Sequence, residues 1–211
     1  ANEEPLPTSV QQSVPAYSLF AMFFVVIPLS GTFIRERQEG SFLRLQSMPV
    51  SPWIHMIGKV VPFFIINQIQ IILMFLVGIY VIPLFGGDSL TLGDSYLGIA
   101  MITVSASIAA IGFGLLVAVF SKTTEQATTF GGISVIIFSA LGGIMVPKFL
   151  MPDFMQQLAN ISPLSWGLES FFDLFVRKGG VGDILQEFFM LLLFGFICTS
   201  IAVWRYHRVV R

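Results

Sequence analysis

Long stretches of this chain hold almost no charged residue, and that pattern limits its possible folds more than any other feature. About 20 apolar residues cross a bilayer as a helix. Five such runs stand out: about Pro15 to Ile34, Pro52 or Val60 to Phe85, Tyr96 to Phe120, Ala127 to Val146, and Ile184 to Trp204. Only 11% of the 211 residues are charged and 55% are hydrophobic, whereas soluble domains carry roughly 25% charged residues. Inside lipid each backbone group must be paired within its own segment, so the runs are expected to be helices. A membrane barrel would alternate in segments of about ten residues, and these runs do not alternate. The expected fold is all-α, a polytopic membrane bundle of about five transmembrane helices. No internal repeat or low-complexity linker divides it.

The distribution of charge sets an orientation. Basic residues in short loops face the cytoplasm. Arg35, Arg37, Arg44 and Lys59 fall between the first two runs, Lys122 between the third and fourth, and Arg205, Arg208 and Arg211 after the fifth. The other side holds Lys148, Arg177 and Lys178, together with Glu3, Glu4, Asp88, Asp94, Asp153, Glu169, Asp173 and Asp183. Eight basic residues against three place the N-terminus outside and the C-terminus in the cytoplasm. Residues 1–14 are polar and carry no basic residue, so they do not read as a secretory signal. The expectation is a processed product or the C-terminal part of a longer chain, with one more helix before this point. The formal net charge of −1 gives no argument for nucleic acid. The single cysteine, Cys198, cannot form an internal disulfide and reads as a buried, inert thiol.

Small residues mark close helix contacts, because association in lipid relies on near approach of backbones. Ala106, Ala110, Gly114 and Ala118 form one ridge at four-residue spacing. Ser139 and Gly143 repeat that spacing in the fourth run, beside Gly131, Gly132 and Gly142. These suit packing within a bundle, or else a substrate path or dimer seam. Asn67, Gln68 and Gln70 lie inside the second run, where amides are costly unless paired. They suit interhelical hydrogen bonds or the lining of a polar path. No run carries a constellation for catalysis. His55 and His207 sit at membrane edges, and no glycine loop followed by Lys and Ser or Thr is present to cradle phosphates. The chain is therefore not expected to be an ATPase, nor to hold a metal or cofactor.

The loop from Arg35 to Pro49 is the densest charged stretch. Phe42, Leu45 and Met48 recur every three residues and share one helical face, with Arg44 and Ser47 off it. Pro49 ends that short helix. Ser51 then reads as an N-cap with Pro52 at the first helical position, and Trp53 suits the interface. The loop is either a solvated segment that obeys the charge rule or a docking helix for a cytoplasmic partner.

From Pro147 to Gly182 the chain is too interrupted to span. Pro152 starts one short helix carrying Phe154, Met155 and Leu158, and Ser162 caps a second with Pro163 at its first position. Leu164, Leu168, Phe171, Phe172 and Phe175 give the second an apolar face, and Glu169 and Asp173 a polar one, as in helices that lie in an interface. Gly179 and Gly180 follow as a flexible joint, and Asp183 with Gln186 reads as a capping box for the last run.

Glu36, Glu39, Gly40, Ser41, Leu43, Leu45, Pro49, Ser51, Gly58 and Lys59 together resemble the first cytoplasmic loop of ABC type-2 permeases. Ser162-Pro163-Leu164-Ser165-Trp166, shortly before the last run, is a second match. The resemblance covers nearly the whole chain, but the family's first helix and most of its outer domain are missing. It implies that residues 1–14 end an extracytoplasmic region and that 15–211 form the transmembrane domain. It also implies a coupling helix in the loop, seated in a cleft of a separate ATPase subunit, with contacts from Glu36, Glu39, Gly40, Phe42, Leu43, Arg44, Leu45 and Met48. Two short outer helices would close the exit, with Ser162, Pro163, Trp166 and Glu169 in the gate. ATP and magnesium would belong to the partner, and a second permease copy or paralogue would complete the path in the cell's inner membrane. The function expected is ATP-driven export. Its rivals are a secondary transporter, disfavoured because no acid lies inside the first four runs, and a membrane assembly or scaffold subunit without transport. The many phenylalanines fit lipid-facing filler or a binding surface, and the cargo is not legible.

Overall fold

The structure is a computed structural model. It describes residues 7–39 and 52–210, with side chains there except at 52–56, 149 and 206–210. The described residues form a helical bundle without strands. Helix α1 spans Ser9–Phe23 and α2 spans Val26–Gln38. Helix α3 spans Pro52–Leu76 and continues through a π-helical turn, Val77–Val81, into a last α turn, Ile82–Leu84. Helix α4 is Tyr96–Phe120, α5 is Thr124–Leu141, and two short helices follow, α6 at Asp153–Ala159 and α7 at Pro163–Phe175. A 3-10 turn at Val181–Ile184 leads into α8, Leu185–Val210.

The helix boundaries follow from local chemistry. Thr8 and Gln11 form a reciprocal capping box: the Gln11 N–H donates to the Thr8 hydroxyl at 3.2 Å, and the Thr8 N–H donates to the Gln11 side-chain carbonyl at 3.1 Å. The first helix therefore begins at Ser9, earlier than the expected Pro15, and Pro15 lies within it. The bend at Phe24 and Val25 has its cause in Pro28, whose ring conflicts with the carbonyl four residues back. Thr123 caps α5 by accepting from the Gln126 N–H at 3.2 Å, so that helix also begins earlier than expected. It stops at Leu141 because Gly142 caps it and Gly143 turns to positive φ.

Four helical stretches among the described residues are long and apolar enough to cross a membrane: Ser9–Gln38, Ile57–Leu84, Tyr96–Phe120 and Val181–Arg205. The fifth run expected from sequence is α5. Its 18 residues reach about 27 Å at 1.5 Å per residue, close to the hydrocarbon thickness. Its first two turns are polar, with Thr124, Glu125, Gln126, Thr128 and Thr129, and this keeps it from standing with the other four.

Helix α4 is the axis of the bundle and packs against α1, α2, α3, α5, α7 and α8. Ala106, Ala110 and Ala118 of its ridge are buried, as is Gly114, where a Cβ would lie 2.7 Å from Leu29 and 3.3 Å from the Val26 backbone. The ridge therefore faces α2. On another side, a Cβ at Gly112 would lie 2.4 Å from the Gly195 carbonyl oxygen of α8. A Cβ at Gly195 would lie 2.9 Å from the Ile108 carbonyl oxygen. These two glycines bring α4 and α8 into backbone contact.

Candidate functional site: the two ends of the bundle

The residues singled out from sequence fall in three places. At one end α2 and α3 lead into the loop. Gly40, Phe42, Leu43, Arg44, Leu45 and Met48 lie outside the described residues. Glu36 and Glu39 are described, in the last turn and at the C-cap of α2. The Lys59 ammonium of α3 pairs with the Glu36 carboxylate and also sits 4.5 Å from the centre of the Phe33 ring. Both partners are partly buried, so the pair is screened less than a surface pair, and it ties together the two helices that flank the loop. Glu39 is exposed. At the same end the Gln38 amide donates to the Lys122 carbonyl at 3.4 Å, and the Arg205 guanidinium lies 5.0 Å from the centre of the Phe120 ring. Lys59, Lys122 and Arg205, assigned to one side from sequence, thus fall at one end of the bundle.

In the middle, Asn67 is fully buried and its amide donates to the Ser107 hydroxyl of α4 at 3.2 Å. The Gln68 amide donates to the Thr103 carbonyl, also on α4, at 3.4 Å. Gln70 is half-buried. Asn67 and Gln68 thus act as interhelical links. The Asn67 side-chain oxygen is left without a hydrogen-bond partner.

The other end is built by α6 and α7. Pro163 occupies the first turn of α7 and Ser162 its N-cap position, as the sequence suggests, but Ser162 does not cap. Its hydroxyl donates to the Phe138 carbonyl of α5 at 2.7 Å, an acceptor it shares with the Gly142 N–H. Trp166 donates from its indole N–H to the Asn160 carbonyl at 2.8 Å, and its ring stands 6.4 Å from that of Phe194. Leu164, Leu168, Phe171 and Phe175 are buried, and Phe171 and Phe175 pack edge-on against Phe75 of α3. Helix α7 accordingly packs among α1, α4, α5 and α8.

Glu169 is held by two cations, the Lys148 ammonium at 3.1 Å and the Arg177 guanidinium at 3.7 Å. Arg177 also donates to Asp173 at 2.5 Å, one helical turn away. Burial pushes the Asp173 carboxyl above its ordinary range, and the Arg177 charge opposes that shift. Lys148 is the neighbour that sequence reasoning did not connect to Glu169. The two are separated by 21 positions and by a turn and a helix, so no local period links them.

Two details of the joint to α8 differ from expectation. Asp183 does not pair with Gln186; its carboxylate accepts from the Gly180 N–H at 2.8 Å and closes the 3-10 turn. Gly179 is packed, with its N–H donating to the Asp173 carbonyl at 2.7 Å and the Asp183 side chain close by. A loop glycine is needed at Gly93 instead, where φ is 66° and a Cβ would lie 2.2 Å from the Leu174 carbonyl oxygen. Among the described residues no group of three His, Cys, Asp or Glu could hold a metal ion.

The long apolar helices, the ion pair at the base of the loop and the inserted helix α7 define a polytopic membrane bundle with distinct ends. The model of the family described as "ABC-2 family transporter protein" matches residues 1–204, and the chain belongs to that family. It is 29% identical over 181 residues to the linearmycin resistance permease protein LnrN of Bacillus subtilis, covering 84% of this chain and 45% of that protein. It is 29% identical over 200 residues to the probable multidrug ABC transporter permease YbhR of Escherichia coli K12, covering 92% of this chain and 52% of that one. The chain thus spans about half the length of these curated relatives.

Proposed function

We propose that the chain is the membrane-spanning permease part of an ATP-driven ABC type-2 exporter, and that it couples to a separate ATPase subunit. The observation that carries the coupling is the Glu36–Lys59 pair. A loop whose two flanking helices are locked together moves them as one when a partner pulls on it. Closure of the ATPase would then shift α2 and α3 against α4, the kind of two-state rearrangement of packed helices that transport needs. Phe42, Leu45 and Met48 are the docking face, with Glu36, Glu39, Gly40, Leu43 and Arg44 around it. Asn67, Gln68 and Gln70 line the path when α3 moves off α4. Ser162, Pro163, Trp166 and Glu169 form the outer gate, and a second permease copy or paralogue completes the path. ATP and magnesium belong to the partner. Both named relatives are permeases of resistance or multidrug systems, and export of a toxic small molecule fits that company.

The proposed orientation places the loop end in the cytoplasm, with the N-terminus of this chain outside. A cysteine at Asp88 should react with an impermeant thiol reagent added outside, and one at Lys122 should not. Cys198 is buried and gives little background. The opposite labelling would remove the docking argument. For the coupling itself, the full permease is co-purified with its ATPase. Truncating an apolar anchor costs about 2 kcal/mol where it fills a pocket. Phe42→Ala or Leu45→Ala should then still insert and fold but lose export and release the ATPase more readily, while Glu39→Gln has a weaker, salt-dependent effect. Wild-type export and partner affinity in both anchor variants would sink the coupling role.

A further inference from the structure

We propose that a pocket of about 350 Å³ between α7 and the start of α8 binds an organic ammonium group. Its charged lining is Lys148, Glu169 and Glu187, and Trp166, Ser165 and Met190 complete the part used here. Lys148 and Glu169 answer one another at 3.1 Å, and Glu169 is held further by Arg177. Glu187 is different. One of its carboxylate oxygens is buried and has no hydrogen-bond partner. The Ser165 hydroxyl is also buried without a partner, in a residue only 1% exposed. A place in the first turn of α8 explains why an acid is tolerated at Glu187. It does not explain an oxygen taken out of water and left unpaired, which is costly.

A buried carboxylate oxygen without a donor, beside a hydroxyl that can also accept, calls for a cationic donor. The volume far exceeds the roughly 30 Å³ share of one water and admits a small organic group. Trp166 supplies an aromatic wall, the best side chain for stabilising such a cation. That wall is fixed by the bond from its indole N–H to Asn160 and by the Phe194 ring. An anion is disfavoured, because the pocket's one lining cation is already paired and Glu187 would repel it. The same ammonium chemistry is carried by a phosphatidylethanolamine headgroup and by a free cationic amphiphile. Neither source depends on the ATPase, so failure here leaves the export proposal standing, and the reverse also holds.

The test is equilibrium dialysis of the full permease in detergent against radiolabelled phenethylammonium. Saturable binding is expected, at least about tenfold weaker in Glu187→Gln, because the charge-assisted contact is lost, and unchanged in Glu125→Gln at the opposite end of the bundle. Competition then identifies the source. Displacement by short-chain phosphatidylethanolamine but not phosphatidylglycerol points to a headgroup. Displacement only by free amines points to a soluble cation. Both support the site. Neutral phenethyl alcohol, tested on the unaltered protein, should not compete, so the charge requirement does not depend on how any variant folds. Absence of saturable binding, equal binding in Glu187→Gln, or competition by the alcohol at the same concentration would each overturn the proposal.

Discussion

Helices α3 and α4 are each 25 residues long and equally apolar in their best stretches, yet 72% of that stretch is buried in α4 and only 17% in α3. Hydrophobicity does not separate them, because lipid is as apolar as a leucine side chain and gives no drive to bury one helix in preference to another. Side-chain size does. Helix α4 carries Ala106, Ala109, Ala110, Gly112, Gly114 and Ala118, so neighbouring backbones can close on it from several sides. Helix α3 presents Ile65, Ile66, Ile69, Ile72 and Leu73 outward, each about half exposed. Its grip on α4 includes the two amide links from Asn67 and Gln68.

The sharpest way to break this comparison is to enlarge the residues where α4 meets α8. At Gly112 and Gly195 the nearest obstructing atom is a backbone carbonyl oxygen, which cannot swing aside. Gly112→Leu or Gly195→Leu should cost about 3 kcal/mol or more, at or beyond the upper end of overpacking penalties. The expected result is little monodisperse protein on size exclusion in detergent. Gly114→Leu should be milder, about 1–3 kcal/mol, because its nearest neighbour is the movable end of Leu29. A lower melting temperature with folded protein still recovered is expected. Equal loss at Gly112 and Gly114 would show that backbone contact is not what distinguishes the two sides of α4.

Much of this was legible in the sequence. Span positions, the small-residue ridge, the start of α7 at Pro163 and its apolar face all follow from periodicity and turn chemistry, which are local. The α8 side of α4 was not legible. Gly195 is an isolated glycine in its run, and nothing local marks its partner 83 positions earlier at Gly112. Ser162 misled for a related reason. Its type and position fit a cap, but a carbonyl at the end of α5 offered its hydroxyl a better partner. The pocket beside α7 depends on three separate segments meeting, at Lys148, at Trp166 with Glu169, and at Glu187. The loop residues from Gly40 to Met48 lie outside the described residues, and the docking face proposed for them comes from the sequence pattern.

The amide links give a smaller and more precise test. Asn67→Leu, Ser107→Ala and the double variant form a thermodynamic cycle. Interhelical hydrogen bonds in membranes average about 0.6 kcal/mol, so a coupling of that order is expected from shifts in melting temperature. The Asn67 oxygen has no partner, so Asn67→Leu also relieves a desolvated acceptor. Its single-variant effect should be close to zero or slightly stabilising, even though the coupling is favourable. A strongly destabilised Asn67→Leu would mean that α3 is held to α4 more firmly than its burial implies.

The smallest effect is expected on the outward face of α3. Ile69 is 52% exposed, so within the single chain Ile69→Ala should change stability by no more than about 0.5 kcal/mol. The isoleucine already points out of the bundle, so its removal opens no internal cavity. Measured on the permease alone in detergent, the melting temperature should match the parent within error. The same variant in the assembled transporter separates two environments. If α3 faces lipid there too, the null result persists. If a second permease copy covers it, Ile69→Ala should lower cross-linking between copies while leaving the isolated chain unchanged. A clear loss of stability in the isolated chain would contradict the burial contrast itself, because a side chain open to the surroundings would then behave like one packed in the core.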